Sequence, residues 1–110
     1  MPTLRVLTLN IWNRQGPWEA RKKLIGETLR RWDPDVVGLQ EVIHRPGGSR
    51  ETSQACTITD AWKREGLTER TFESFGAAFT YENGDQFGNA VVSKFPIAAF
   101  DTFALPTEDQ

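Results

Sequence analysis

The chain has 110 residues, of which 38% are hydrophobic and 25% charged, a composition that excludes a disordered tail and suits one small globular domain. Its 13 basic and 15 acidic residues give a net charge of −2, so it lacks the strong positive charge that usually marks a nucleic-acid-binding domain. A single cysteine, Cys56, excludes an internal disulfide.

The hydropathy of the chain gives an expectation about its location. No apolar stretch is long enough to cross a membrane. Met1 leads directly into the apolar run at residues 4–9, and no small-residue cleavage site of a signal peptide follows this run. We therefore expect a cytoplasmic protein without a membrane span.

The first part of the chain predicts a strand, a helix and a second strand. Residues 4–12 form a short run rich in Leu, Val and Ile, which is typical of a buried strand. Residues 18–32 place apolar side chains on one helical stripe, with Pro17 at the first helical position. Residues 35–42 are again apolar. This order makes a βαβ unit, so the two strands should be parallel with a right-handed crossover.

The rest of the chain predicts a loop, a helix and antiparallel strands. We expect the loop at residues 43–53 and the helix at residues 54–65. The two strands should follow at residues 77–81 and 87–94. Asn83-Gly84 supplies the turn of a hairpin. Residues 70–75 have no clear pattern, and residues 97–105 predict one more strand. The predicted fold class is α/β, a mixed sheet in which the βαβ unit is followed by antiparallel strands.

Asn10 and Glu41 lie at the ends of the two predicted parallel strands. Because the carboxyl ends of parallel strands share one edge, where ligands bind, we expect the two side chains to lie side by side. Carboxylate and amide oxygens are hard ligands, and Mg²⁺ is typically held by one or two carboxylates, waters and substrate phosphate oxygens. The alternative is a solvated strand end at Glu41 and a turn former at Asn10.

Three segments carry a family resemblance. Residues 7–12, 34–42 and 87–97 resemble three successive motifs of the endonuclease/exonuclease/phosphatase (DNase I-like) superfamily. Their Gln-Glu-Val and Gly-Asn-Ala segments are the most specific. The resemblance implies a four-layer α/β/β/α sandwich, of which this chain would form the N-terminal half. It also implies hydrolysis of a phosphoester by an activated water with the help of Mg²⁺, or alternatively Mn²⁺.

The resemblance assigns roles to several residues. Glu41 corresponds to the metal-binding glutamate, and Asn10 to the asparagine that assists at the metal and the phosphate. Gln40 would orient Glu41. Asn89, in the Gly-Asn-Ala segment, would pack below the site with a mainly structural role.

The acid–base part of the family's machinery has no match in the sequence. The family uses an Asp-x-Asn pair and histidines, whereas this chain has no Asp-x-Asn and a single histidine, His44, within the Gly/Pro-rich segment. We expect His44 to be a solvated loop residue; the alternative is that His44 and Arg45 contact substrate phosphate.

The length of the chain agrees with an incomplete site. Family domains are about twice as long, within the usual range for single domains. We therefore expect residues 1–110 to form a partial domain, truncated at the C-terminus and inactive alone. Its exposed apolar sheet face would favour self-association.

Two functions from different classes follow from the sequence. The main one is a magnesium-dependent phosphoesterase, with nucleic acid, phospholipid and sugar phosphate all open as substrates. The alternative is a non-catalytic binding or interaction domain on the same scaffold, in which the four tryptophans mark an interface.

Overall fold

The computed structural model describes residues 3–103, and this part of the chain contains four strands and two α-helices. A short 3-10 turn at Arg50–Thr52 precedes the second helix. The elements in chain order are β1 (Val6–Asn10), α1 (Trp18–Trp32), β2 (Val36–His44), α2 (Gln54–Arg64), β3 (Phe72–Thr80) and β4 (Gln86–Ser93). Neither helix is long and apolar enough to span a membrane.

The strands form one mixed sheet in the order β1-β2-β4-β3. β1 and β2 are parallel, with Val6 opposite Val36 and Asn10 opposite Gln40. β4 is antiparallel to both of its neighbours. The parallel pair with α1 between its strands, and the antiparallel strands that follow, confirm the predicted α/β class.

Three predicted boundaries were wrong. β2 continues through His44, so the loop does not begin at residue 43; pairing of His44 with Gln86 and a bridge to Ser53 extend the strand. Residues 72–75 belong to β3, whose register shift between Ala77 and Phe79 disturbs the apolar alternation. Residues 97–103 form no strand, and the remainder of the predicted strand at 104–105 lies outside the described residues.

Both helices pack on the same face of the sheet. Leu29 of α1 and Trp62 of α2 belong to one buried cluster that also contains Val37 and Leu39 of β2. Burying each aliphatic side chain of this kind stabilises a fold by about 1.5–3 kcal/mol. One helical layer on one sheet corresponds to two of the four layers of the sandwich.

The opposite face of the sheet is not covered by either described helix. Val6 and Thr8 of β1 and Val91 of β4 are exposed there, whereas their neighbours along the strands are half-buried or buried. We call this surface the open face. The predicted self-association of the chain through such an apolar surface stays a prediction.

Candidate metal site

Asn10 and Glu41 meet at the edge of the sheet where β1 ends. The Nδ2 atom of Asn10 donates a hydrogen bond to Glu41 Oε2. The Oδ1 atom of Asn10 accepts a hydrogen bond from the backbone N–H of Trp12 at 2.9 Å, and this second bond fixes the orientation of the amide. The two side chains therefore lie together, as expected from the ends of parallel strands.

A β-bulge in β2 directs Glu41 to this edge. Leu39 is opposite Ala90 and Val42 is opposite Gly88, so two residues of β2 face one residue of β4. Under strict alternation, residue 41 would follow Val37 and Leu39 onto the buried helix-side face. The bulge gives that place to Val42, which is fully buried, and leaves Glu41 half-buried beside Asn10.

The bulge has a strained backbone at its centre. Glu41 has φ +56°, in the left-handed region that costs a residue other than glycine about 1–2 kcal/mol. The signal in the sequence is the pair of adjacent polar residues, Gln40 and Glu41, which separates the buried positions Leu39 and Val42 by three residues. An unbroken strand would have kept them two residues apart.

The residues at this edge fit a magnesium site of the kind completed by water and substrate. Within residues 3–103, no cluster of three or more His, Cys, Asp or Glu side chains is placed to hold a metal ion. Mg²⁺ needs only one or two carboxylates when waters and phosphate oxygens supply the rest. Glu41 offers one carboxylate, and Asn10 holds it in place; their binding of a metal stays a prediction.

Gln40 and Asn89 flank the bulge on two strands. Gln40 Nε2 donates to Thr8 Oγ1 of β1 at 2.8 Å, so this side chain links the two parallel strands, and an orienting effect on Glu41 stays a prediction. Asn89 is exposed and opposite Gly76 of β3. It is the β4 residue between the partners of Leu39 and Val42, and its structural role also stays a prediction.

His44 is not the solvated loop residue that the sequence predicted. It ends β2 and is half-buried, with its ring centroid 4.9 Å from that of Phe75. Its Nδ1 atom is buried and has no hydrogen-bond partner among the described residues. The correction follows from the extension of β2, which places the imidazole against β3 rather than in water.

Arg45 forms an ion pair at the same end of the sheet. Its Nε donates to Asp85 Oδ1 at 2.8 Å, and its Nη2 donates to the carbonyl of Asn83 at 2.7 Å. Arg14 lies on the other side of the same carboxylate, with Nη1 3.6 Å from Oδ2. Two arginines thus bracket one acidic side chain, whereas the contact of His44 and Arg45 with phosphate stays a prediction.

Two polar residues that hold the backbone near the site, the half-buried Arg21 and the buried Gln54, were not predicted from the sequence. Arg21 of α1 donates hydrogen bonds to the carbonyls of the β1–α1 loop, and Gln54 of α2 is fully buried and bridges this loop to β2. Nothing in the local pattern distinguishes them, because Arg21 sits in a basic helical segment and Gln54 at the start of a helix. Their partners are set only by the tertiary fold.

With this fold and this pair of residues, the chain belongs to the endonuclease/exonuclease/phosphatase family, whose family model matches residues 7–109. No curated protein shows significant sequence similarity to the chain.

Two solved structures are similar in fold. An endonuclease/exonuclease/phosphatase family protein from Leptotrichia buccalis is 18% identical, with a TM-score of 0.71 over 88% of this chain and 40% of its own. An endonuclease/exonuclease/phosphatase from Beutenbergia cavernae is 25% identical, with a TM-score of 0.59 over 88% of this chain and 27% of its own. The chain therefore spans less than half the length of either.

Proposed function

We propose that this chain provides the metal-binding part of a magnesium-dependent phosphoesterase, with Glu41 as the carboxylate ligand of the metal. The observation that supports this most is the hydrogen bond from Asn10 to Glu41 at the carboxyl edge of the parallel strands. The bulge makes Glu41 accessible at that edge instead of burying it under the helices. Mn²⁺ is the alternative ion for the same oxygen ligands.

Glu41 and Asn10 have different roles at the proposed site. The carboxylate of Glu41 attracts the cation, and the Nδ2 donor of Asn10 holds one carboxylate oxygen in a fixed place. When bound, Mg²⁺ would stabilise negative charge that develops on a phosphoester. Asn10 itself is exposed, so a phosphate group can approach the pair from solvent.

Turnover also requires a general base within hydrogen-bond distance of the attacking water. The sole histidine of the chain, His44, packs against Phe75 and keeps Nδ1 buried. It is therefore badly placed to activate a water beside Glu41. We propose that the 110-residue chain binds the metal but does not hydrolyse a phosphodiester unaided.

The substrate is proposed only at the level of a phosphoester, which includes nucleic acids, phospholipids and sugar phosphates. Arg45, with Arg14, is the proposed cationic contact for its phosphate, because both guanidinium groups are partly exposed at the same end of the sheet. Asp85 neutralises part of their charge. A phosphate would have to compete with this carboxylate.

The test is an isothermal titration with Mg²⁺ of the wild-type chain and Glu41→Gln. The substitution removes the charge but keeps the shape, so we expect Mg²⁺ affinity to fall by about tenfold or more. Glu27→Gln, a half-buried glutamate of α1, is the matched control and should bind like the wild type. Equal affinities in the wild type and Glu41→Gln would contradict the proposal.

The second candidate is a non-catalytic interaction domain, and the open face favours it. Val6 is 66% exposed and Val91 37% exposed on that face, and exposed apolar patches often mark protein contacts. Such a domain should respond little to Glu41→Gln. The Mg²⁺ titration therefore distinguishes the two functions.

A further inference from the structure

Asn13 joins the metal site to both helices through its backbone. Its N–H donates to the carbonyl of Glu41 at 2.8 Å. Its carbonyl accepts two hydrogen bonds, from Arg21 Nη2 at 2.9 Å and from Gln54 Nε2 at 2.8 Å. One residue of the β1–α1 loop is therefore tied to the bulge on one side and to α1 and α2 on the other.

Arg21 holds the rest of the same loop. Its guanidinium also donates to the carbonyl of Ile11 and, through Nε and Nη2, to the carbonyl of Gln15 at 3.0 and 2.6 Å. The indoles of Trp12 and Trp18 lie 5.5 and 5.1 Å from its central carbon. The planar guanidinium spreads its donors over three carbonyls, and the compact ammonium group of lysine does not reproduce this spacing.

Gln54 connects the loop to the strand that carries Glu41. Its Oε1 accepts from the N–H of Ile43 at 2.8 Å, two residues past Glu41, and its Nε2 donates to Asn13. The side chain is 1% exposed. A buried amide satisfies one backbone donor and one backbone acceptor at the same time, which a carboxylate or an aliphatic side chain cannot do.

The segments that these two side chains hold are strained. Trp12, Asn13 and Glu41 have φ of +56°, +39° and +56°. Residues in this region cost about 1–3 kcal/mol each and persist only when the surrounding structure holds them. The N–H of Trp12 also binds Asn10 Oδ1, so the shape of the loop decides which way the Asn10 amide points.

We propose that Arg21 and Gln54 are positioning residues of this site. They hold the loop at residues 11–15 and the bulge in the one geometry that directs Nδ2 of Asn10 toward Glu41. For the metal, the inference rests on the proposed function. The placement of the Asn10 amide is tested without any metal.

The test uses the 110-residue chain in two variants. Arg21→Lys keeps the positive charge but loses the set of hydrogen bonds to the loop carbonyls. Gln54→Met keeps the approximate volume but loses both hydrogen bonds to the backbone. Arg31→Lys is the matched control, because Arg31 lies on the same helix and its guanidinium is 5.6 Å from the Trp32 ring. Two quantities are measured: the side-chain amide signals of Asn10 in ¹H–¹⁵N spectra without metal, and the Mg²⁺ dissociation constant.

Both variants should shift the Asn10 amide signals and speed their hydrogen exchange, and both should weaken Mg²⁺ binding by about tenfold, as loss of supporting hydrogen bonds does at metal sites. Arg31→Lys should change neither quantity. Unchanged Asn10 signals in folded variants would overturn the inference. So would a failure of both variants to fold, since the residues would then act on folding alone. Absence of Mg²⁺ binding by the wild type would refute only the proposed function, because the Asn10 signals still report the positioning.

Discussion

Asn10 of β1 reaches across to Glu41 of β2 although the residue opposite it in the sheet is Gln40. This contact is possible because the bulge moves Glu41 out of the regular register. Gln40 instead donates to Thr8, two residues before Asn10 on the same strand. Two neighbouring polar pairs thus join β1 to β2, and only the one at the edge includes a carboxylate.

Replacing Asn10 by Ala should weaken Mg²⁺ binding by about tenfold, because the carboxylate of Glu41 loses the donor that holds it. The measurement is isothermal titration, with urea unfolding to show that the variant is folded. Thr28→Ala is the control: it removes a hydroxyl of α1 that donates to the carbonyl of Leu24 and should leave the affinity unchanged. If Thr28→Ala weakened Mg²⁺ binding as much as Asn10→Ala, the special role of Asn10 would be wrong.

Replacing Gly88 by Ala should lower the free energy of unfolding by about 1–3 kcal/mol or more, because overpacking a tightly packed position has this cost. A Cβ atom at Gly88 would overlap the carbonyl oxygen of Gly76 and lie 2.9 Å from its carbon. Because these are backbone atoms of the adjacent strand β3, they cannot move without breaking the β3–β4 pairing.

Urea unfolding monitored by tryptophan fluorescence measures this loss. Glu82→Ala, at an exposed position in the turn between β3 and β4, is the control and should change the free energy of unfolding by less than about 0.5 kcal/mol. A Gly88→Ala variant as stable as the wild type would show that β3 and β4 do not approach this closely. Close packing against the backbone of β3 thus explains why the Gly-Asn-Ala segment begins with a glycine.

Acid should destabilise the fold partly through Glu69. Lys94 Nζ lies 2.7 Å from Glu69 Oε2 and from Asp33 Oδ1, and its hydrogen bond lowers the pKa of Glu69. A carboxyl group whose pKa is lowered in the folded state stabilises the fold above its unfolded pKa. This stability is lost as the pH falls through the folded value.

Glu69→Gln should therefore lose less stability than the wild type as the pH falls below the ordinary pKa of a glutamate and through the lowered value in the fold. Urea unfolding at several pH values measures this, with Glu82→Gln in the exposed β3–β4 turn as the control that should follow the wild type. Parallel pH profiles for the wild type and Glu69→Gln would refute the role of this ion pair.

The contribution of Lys94 to stability depends on pH in the opposite direction. Although burial lowers its pKa, hydrogen bonds to Asp33 and Glu69 raise it overall, so its contribution is lost only as the pH rises through that raised value.

The parallel strands and the meeting of Asn10 with Glu41 could be predicted from the sequence. Both follow from local rules: the periodicity of residues 18–32 indicates a helix, a helix between two apolar strands makes them parallel, and parallel strands end at one edge. The distance along the chain between Asn10 and Glu41 did not matter, because topology places the two strand ends at one edge. The bulge that turns Glu41 toward Asn10 was not part of the prediction.

The parts that could not be predicted depend on contacts between distant residues. Nothing near Gln54 indicates that its amide will bridge Asn13 and Ile43. His44 lies in a segment rich in turn residues, yet a neighbouring strand holds it in β2. Residues 97–103 have the composition of a strand, but a strand also needs a neighbour for its backbone hydrogen bonds, and these residues pair with none of the described strands.

The extra residue in β2 separates two requirements: the burial of apolar side chains under the helices and the presentation of a carboxylate at the edge of the sheet. A chain that lacked Gln40 would still place Val37, Leu39 and Val42 on the helix side, because alternation without the bulge reaches that side two positions after Leu39. Glu41 would then take the place of Gln40 opposite Asn10, in the regular register of the sheet. The length of this strand, and not only its residue types, therefore determines how the domain presents its carboxylate, and a one-residue deletion here changes the site in a protein whose core is preserved.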